Sequence, residues 1–323
     1  MTKQPDKSQT PPRPQLAPQT LFRFVALSPE YQANLENAYT SAQNLPTRDE
    51  LGAFEAIRKA QTPLQIVAMT QHARGIAQLA WMARMNQFGP EAIPALQRGL
   101  RISQSKLDTQ EAHRAVEQLI AALWRLGPLG GPALLECFNS LDDYCQSVAC
   151  TALGALRTQE ALDTVWRFYQ RVKDAPDKSQ MIGALLGLVN LRHSQIDETL
   201  AEVLSTAHIF VEQYPFTALA GGRACVRPLA FRLGVSVEST ENYEGERDDL
   251  VMALAAVAHR IGLEDYRAAL AETIETAATV SVLVYSALNR PQEDVERYFK
   301  MFFDDPQPPK PPEVVAVAEP VEE

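Results

Sequence analysis

Aromatic side chains are scarce in this 323-residue chain, at 7%, although apolar residues make up 46% of it. The apolar content is mostly Ala, Leu and Val, small side chains that suit close helix–helix packing better than a sheet core. No CxxC pair is present. Cys137, Cys145, Cys150 and Cys225 stand apart and read as free buried cysteines of a reducing compartment. The longest uncharged apolar stretch, Thr276 to Leu288, falls short of the ~18 residues that would mark a membrane span. Lys3 and Lys7 are followed by no apolar core of signal-peptide length. A soluble, cytoplasmic protein with no membrane partner is expected.

Positive charge is also short. The net charge is −10 with a pI near 5.1. Residues 304–323 carry six acids against Lys310, and residues 1–20 carry Lys3, Lys7 and Arg13 against Asp6. The body between them still carries −7, so it offers no general counter-charge to nucleic acid.

Reaction motifs are missing too. There is no HExxH zinc motif, no phosphate loop at Gly221-Gly222 and no Gly-x-Ser-x-Gly elbow. The cysteine spacings do not fit a zinc site. Cys145 or Cys150 as a nucleophile has no His near it in sequence, which leaves only spatial pairing. No catalytic, cofactor-binding or metal-ligating residue is assigned on this basis, and no constellation specifies a reaction.

What the chain does have is helical punctuation. Residues 1–20 are rich in Pro, Gln and Lys and read as a disordered tail; the run PPRPQLAP has a second reading, docking in an aromatic groove. Ser28-Pro29-Glu30 looks like a helix start, and Thr47 with Glu50 forms a capping box before LGAFEAIRKA. Between Pro63 and Gln87, apolar residues recur close to a 3.6-residue period. The frame GPEAIPAL at Gly89–Leu96 returns as GPLGGPAL at Gly127–Leu134, a lag of 38 residues. Its glycine suits a helix end and its prolines the following turn.

A second internal match has a lag of 35. Asp142, Ala149, Leu153, Leu156 and Arg157 align with Asp177, Ala184, Leu188, Leu191 and Arg192, and Asp108 opens a similar segment 34 residues before Asp142. Each Asp should cap a helix whose Ala and Leu form the seam with its neighbour. Periods of 34 to 38 are those of two-helix solenoid units. The Asp-x6-Ala-x3-Leu-x2-Leu helix followed by Pro-Ala-Leu resembles HEAT repeats of the phycobilisome-lyase-like kind over residues 64–211. The usual Val-Arg pair after the Asp is replaced by Gln146-Ser147-Val148 and Gln180-Met181-Ile182, although His113-Arg114 keeps the basic residue.

The resemblance implies an all-α, right-handed α-solenoid of HEAT-like helix pairs with disordered termini, the repeat domain covering residues 21–303. Within it, residues 208–234 read as one interrupted helix or two short ones, and 235–249 as an acidic loop with six acids and one arginine. An aromatic cap helix is expected at 291–303, before a disordered acidic, proline-rich tail at 304–323. Iron-dependent hydroxylases built on such repeats use His-Glu pairs. The five histidines here are followed by Ala73, Arg114, Ser194, Ile209 and Arg260, which excludes that chemistry.

Two features remain as binding candidates. Arg223, Arg227 and Arg232 flank Cys225 beside the glycine pair; they read either as a guanidinium site for an anion or partner carboxylate, or as arginines paired with acids such as Glu238 or Glu241. Trp81, Trp124 and Trp166 recur at lags of 43 and 42 and read as gap-fillers between repeats or as an aromatic ladder. The expected role is a non-catalytic scaffold or adaptor that binds a protein partner along the repeat surface, with no cofactor. The alternatives are a lyase-like or chaperone-like enzyme acting on a cofactor-bearing or modified protein, and a nucleic-acid-binding repeat protein, which the acidic charge disfavours.

Overall fold

Thr47 opens the first helix, α1 (Arg48–Lys59), through a reciprocal capping box: Glu50 N–H donates to Thr47 Oγ1 at 3.2 Å and Thr47 N–H to Glu50 Oε2 at 2.7 Å. The computed structural model describes residues 46–104, 110–154, 156, 158–175, 178–206, 213–238, 244–271, 289–291 and 293–295. Among them there are fourteen α-helices and no strand. Thr62, Pro63 and Gln65 cap α2 (Pro63–Ala68) in the same way. Then follow α3 (Ile76–Phe88), α4 (Ile93–Gln104), α5 (Gln110–Arg125), α6 (Gly130–Phe138), α7 (Asp143–Gly154), α8 (Gln159–Val172) and α9 (Ser179–Leu191). The remainder are α10 (Ile196–Ser205), α11 (Gln213–Ala220), α12 (Arg223–Glu238), α13 (Glu244–Ile261) and α14 (Leu263–Ala271).

The Gly/Pro frame works as its residue types require. Gly89 and Gly127 have φ of 52° and 56°, and each starts a short 3-10 turn carrying Pro90 or Pro128 that leads into α4 or α6. A side chain at either glycine would be strained, so the lag of 38 marks a repeated helix-ending device. Asp142 also caps as expected, accepting the Cys145 N–H at 2.8 Å. Asp108 and Asp177 lie outside the described residues.

The helices divide into two compact units. The first comprises residues 46–175 with 186–191; the second comprises 178–185 with 192–295. In the first, α1 packs on α3, α2 on α4, α4 on α5 and α6, α5 on α6 and α7, α6 on α7, and α7 on α8. These contacts link a helix to its next or next-but-one neighbour, a helical-repeat-like pattern. At its centre α7 is buried on every side from Cys145 to Gly154. Gly187 lets α9 press against it: a Cβ there would lie 2.6 Å from the Cys150 carbonyl oxygen and 3.0 Å from Val165 Cγ1. Trp81 is fully buried and donates its indole N–H to the Ile66 carbonyl at 3.0 Å and Thr70 Oγ1 at 3.2 Å.

The second unit repeats the pattern. α10 packs on α11 and α12, α11 on α13, α12 on α13 and α14, and α13 on α14. Here α13 is the central helix, buried from Asp249 to Ala258. Residues 208–234 contain two helices, parted at Gly221-Gly222, and α12 runs through Pro228.

The acidic stretch 235–249 differs from the loop its composition suggests. α12 continues to Glu238 and α13 begins at Glu244, leaving 239–243 outside the described residues. Glu244, Glu246, Asp248 and Asp249 fall in the first turns of α13, where the helix dipole favours carboxylates. The tails at 1–20 and 304–323, Ser28-Pro29-Glu30 and the stretch 276–288 also lie outside the description. Of the 291–303 cap, residues 293–295 are helical. Among the described residues no helix is long and apolar enough to cross a membrane.

Candidate functional site

Of the three arginines singled out in the sequence, the structure turns one inward and leaves two on an outer face. Arg232 donates its Nε–H to the Leu204 carbonyl at 2.6 Å and an Nη2–H to that of Thr206. It thereby closes the C-terminal end of α10, where carbonyls lack helical partners. Arg223 is exposed and pairs with Asp265 on α14, Nη1 to Oδ1 at 3.6 Å. Arg227 is exposed one turn later. A further turn on stands Phe231, 64% exposed, while Leu229, Ala230 and Leu233 on the same helix are buried. Spacing by four places Arg223, Arg227 and Phe231 along one strip of α12. Sequence reading passed over Phe231; its four-residue lag from Arg227 was the available signal.

The glycine pair between α11 and α12 already holds an anion, and the anion is internal. Asp197, on α10, accepts the Gly222 N–H at 2.5 Å and the Ala224 N–H at 3.0 Å, filling the N-terminus of α12 with a carboxylate. A Cβ on Gly222 would come within 2.8 Å of Asp197 Oδ2. Cys225 donates its thiol to the Asp197 carbonyl at 3.4 Å, and burial, reinforced by Asp197, pushes that thiol far above its ordinary range. On the other side of the corner, Arg260 donates to the carbonyls of Thr217, Ala218 and Gly221, closing the end of α11.

In the first unit, residues distant in sequence gather where α5 meets α7. His113 Nε2 lies 3.3 Å from Asp142 Oδ2. Its ring meets Tyr144 edge-on at 4.9 Å, and Tyr144 donates its hydroxyl to Glu117 Oε1 at 2.5 Å. Burial raises the Glu117 carboxyl above its ordinary range, against the opposing effects of the Tyr144 bond and of His113 and Arg114. Ligand atoms of His113, Asp142 and Cys145 all lie within 4.8 Å of one another. Cys145 therefore does have a histidine beside it, supplied across 32 residues of chain. Cys150 is fully buried, and its thiol is held well above its ordinary range by that burial.

The tryptophans divide. Trp81 is interior, whereas Trp166 is part-exposed and stacks on Tyr169 at 5.6 Å, and Trp124 is part-exposed on α5.

An acidic cluster at the start of α13 carries a pH prediction. Tyr214 donates to Glu246 Oε1 at 2.6 Å. Asp249 is buried, and that burial, with Asp248 and Glu246 nearby, raises its carboxyl to about 6. A carboxyl whose folded pKa lies above its unfolded value stabilises the fold most below the unfolded pKa, and the contribution is lost as pH rises through about 6. Asp249→Asn is therefore expected to add about 1–2 kcal/mol at pH 7.5 and to flatten stability between about pH 4 and 6. Urea unfolding at a series of pH values checks both effects; an unchanged slope would remove Asp249 as its source.

Compared with protein-family models, curated proteins and solved structures, the chain matches none of them.

Proposed function

We propose that the chain is a non-catalytic interaction scaffold built of HEAT-like helix pairs, and that it grips a protein partner through the outer strip of α12. The observation that carries this reading is Phe231, 64% exposed on a helix whose opposite side is packed, with Arg227 and Arg223 in line with it. Aromatic and arginine side chains contribute most of the affinity where they enter a desolvated pocket. Burying a phenylalanine side chain yields about 1.5–3 kcal/mol. The matching partner surface is an apolar pocket rimmed by carboxylates, which the guanidinium forks would meet. Stacked helix pairs supply extended faces of this kind. The right-handed solenoid is part of the same proposal.

The test is affinity purification from the source cells with four baits: the intact chain, a form lacking residues 1–20 and 304–323, Phe231→Ala and Arg227→Glu. One stoichiometric protein is expected with the first two and a loss of about thirtyfold in affinity with Phe231→Ala. Stability should stay within about 0.5 kcal/mol, since the substituted side chain is exposed. A partner held equally by Phe231→Ala and Arg227→Glu would move the contact off α12. A partner held only by the intact chain would assign the binding to the tails.

A further inference from the structure

We infer that His113, Asp142 and Cys145 form a mononuclear zinc site at the junction of α5 and α7. Three donor types of graded softness, an imidazole nitrogen, a carboxylate oxygen and a thiolate sulfur, converge there with ligand atoms within 4.8 Å of one another. This is a borderline set that suits Zn²⁺, whereas Mg²⁺ or Ca²⁺ would require oxygen donors.

The geometry is close to what the ion needs. Tetrahedral zinc with bonds of about 2.0–2.3 Å places its ligand atoms roughly 3.3–3.7 Å apart. His113 Nε2 and Asp142 Oδ2 already stand 3.3 Å apart, so it is the third donor that has to draw in, by up to about 1.1–1.5 Å from the 4.8 Å limit. The ion would take the place of the proton that these two atoms share, and uptake would release protons. Asp142 keeps its other oxygen on the Cys145 N–H at 2.8 Å, which ties two of the three ligands to one helix cap. Carboxylate and thiolate together balance the two charges of the ion.

The surroundings fix the ligands and leave a way in. Tyr144 packs edge-on against the His113 ring and is itself held by Glu117, which restricts the turning of the imidazole. The His113 and Asp142 side chains are 29% and 37% exposed, whereas Cys145 is fully buried. An ion can therefore enter from the imidazole and carboxylate side onto a thiolate floor. The same burial disfavours a Cys–His–Asp nucleophile, because a substrate carbonyl cannot reach a sulfur with no exposed surface. Three protein ligands leave a fourth position for water, the ligand count of an open zinc site.

The test uses the full chain, stripped by chelation and titrated with Co²⁺ as a spectroscopic substitute. One cobalt per chain is expected, with the visible bands of tetrahedral Co²⁺ and a thiolate-to-cobalt charge-transfer band, both abolished by stoichiometric Zn²⁺. Cys145→Ser should remove the charge-transfer band, and His113→Gln should weaken cobalt binding at least tenfold, while Cys137→Ser leaves the spectrum unchanged. Absence of the charge-transfer band in the parent chain, or its persistence in Cys145→Ser, overturns the inference. Should Cys145→Ser fail to fold by circular dichroism, His113→Gln decides through its part-exposed ring: unchanged cobalt affinity there overturns the site as well.

Discussion

Asp197→Ala is expected to lower the unfolding free energy by about 2 kcal/mol. The Asp197 carboxylate takes two backbone N–H groups at the start of α12, from Gly222 at 2.5 Å and Ala224 at 3.0 Å. Bonds to a charged acceptor each contribute about 1.5–3 kcal/mol, and two on one group add to less than their sum. The helix dipole adds about 0.3–1 kcal/mol at such a position. Removing the side chain leaves the part-buried Gly222 N–H without its acceptor, while the exposed Ala224 N–H can turn to water. Asp197→Asn keeps an acceptor without the charge, and about half of the loss should return. Urea unfolding followed by circular dichroism and by fluorescence measures both. A loss below about 1 kcal/mol for Asp197→Ala would mean that solvent already satisfies the α12 terminus.

In the first unit, Gly187→Ala is expected to cost about 2 kcal/mol and Gly187→Val about 4, although alanine favours a helix interior by nearly 1 kcal/mol over glycine. The new Cβ would stand 2.6 Å from the Cys150 carbonyl oxygen, a backbone atom that cannot rotate away. α7 is buried on every side at that point, so relief would require the two helices to part and their packing to loosen. Gly52→Ala is the control of opposite sign. Gly52 lies within α1, with nothing near its Cβ position, and the change should add about 0.5–1 kcal/mol. Unfolding free energies of the three variants decide the matter: a stabilising Gly187→Ala would show that α7 and α9 do not rest on this contact.

What the sequence made legible is what a residue does to its immediate neighbours. Thr47 with Glu50, Gly89, Gly127 and Asp142 each act within about four residues, and each stands where its spacing put it. Composition misled at both ends of 235–249, because acids that suggest a solvated loop are also favoured in the first turns of a helix such as α13. Contacts between distant residues were out of reach. Asp197 meets Gly222 across 25 residues, and His113 meets Asp142 across 29. Neither pair has a spacing that marks it, since only the stacking of helices brings them together. Phe231 is the intermediate case, visible as an aromatic on a helix but not as an exposed one until its neighbours were packed.

Three side chains that close helix ends in the second unit reach in from other helices. Asp197 on α10 closes the start of α12, Arg232 on α12 closes the end of α10, and Arg260 on α13 closes the end of α11. Each donor or acceptor is a particular side chain fitted to a particular terminus, not a residue type recurring once per repeat. Repeat arrays commonly change length during evolution by duplicating or deleting one unit, which succeeds when every unit presents the same seam. Here, excising one helix pair would leave a carboxylate or guanidinium without its terminus and a terminus without its cap. The number of helices in this unit is therefore locked by its wiring, and homologues should differ in loops and tails long before they differ in helix count.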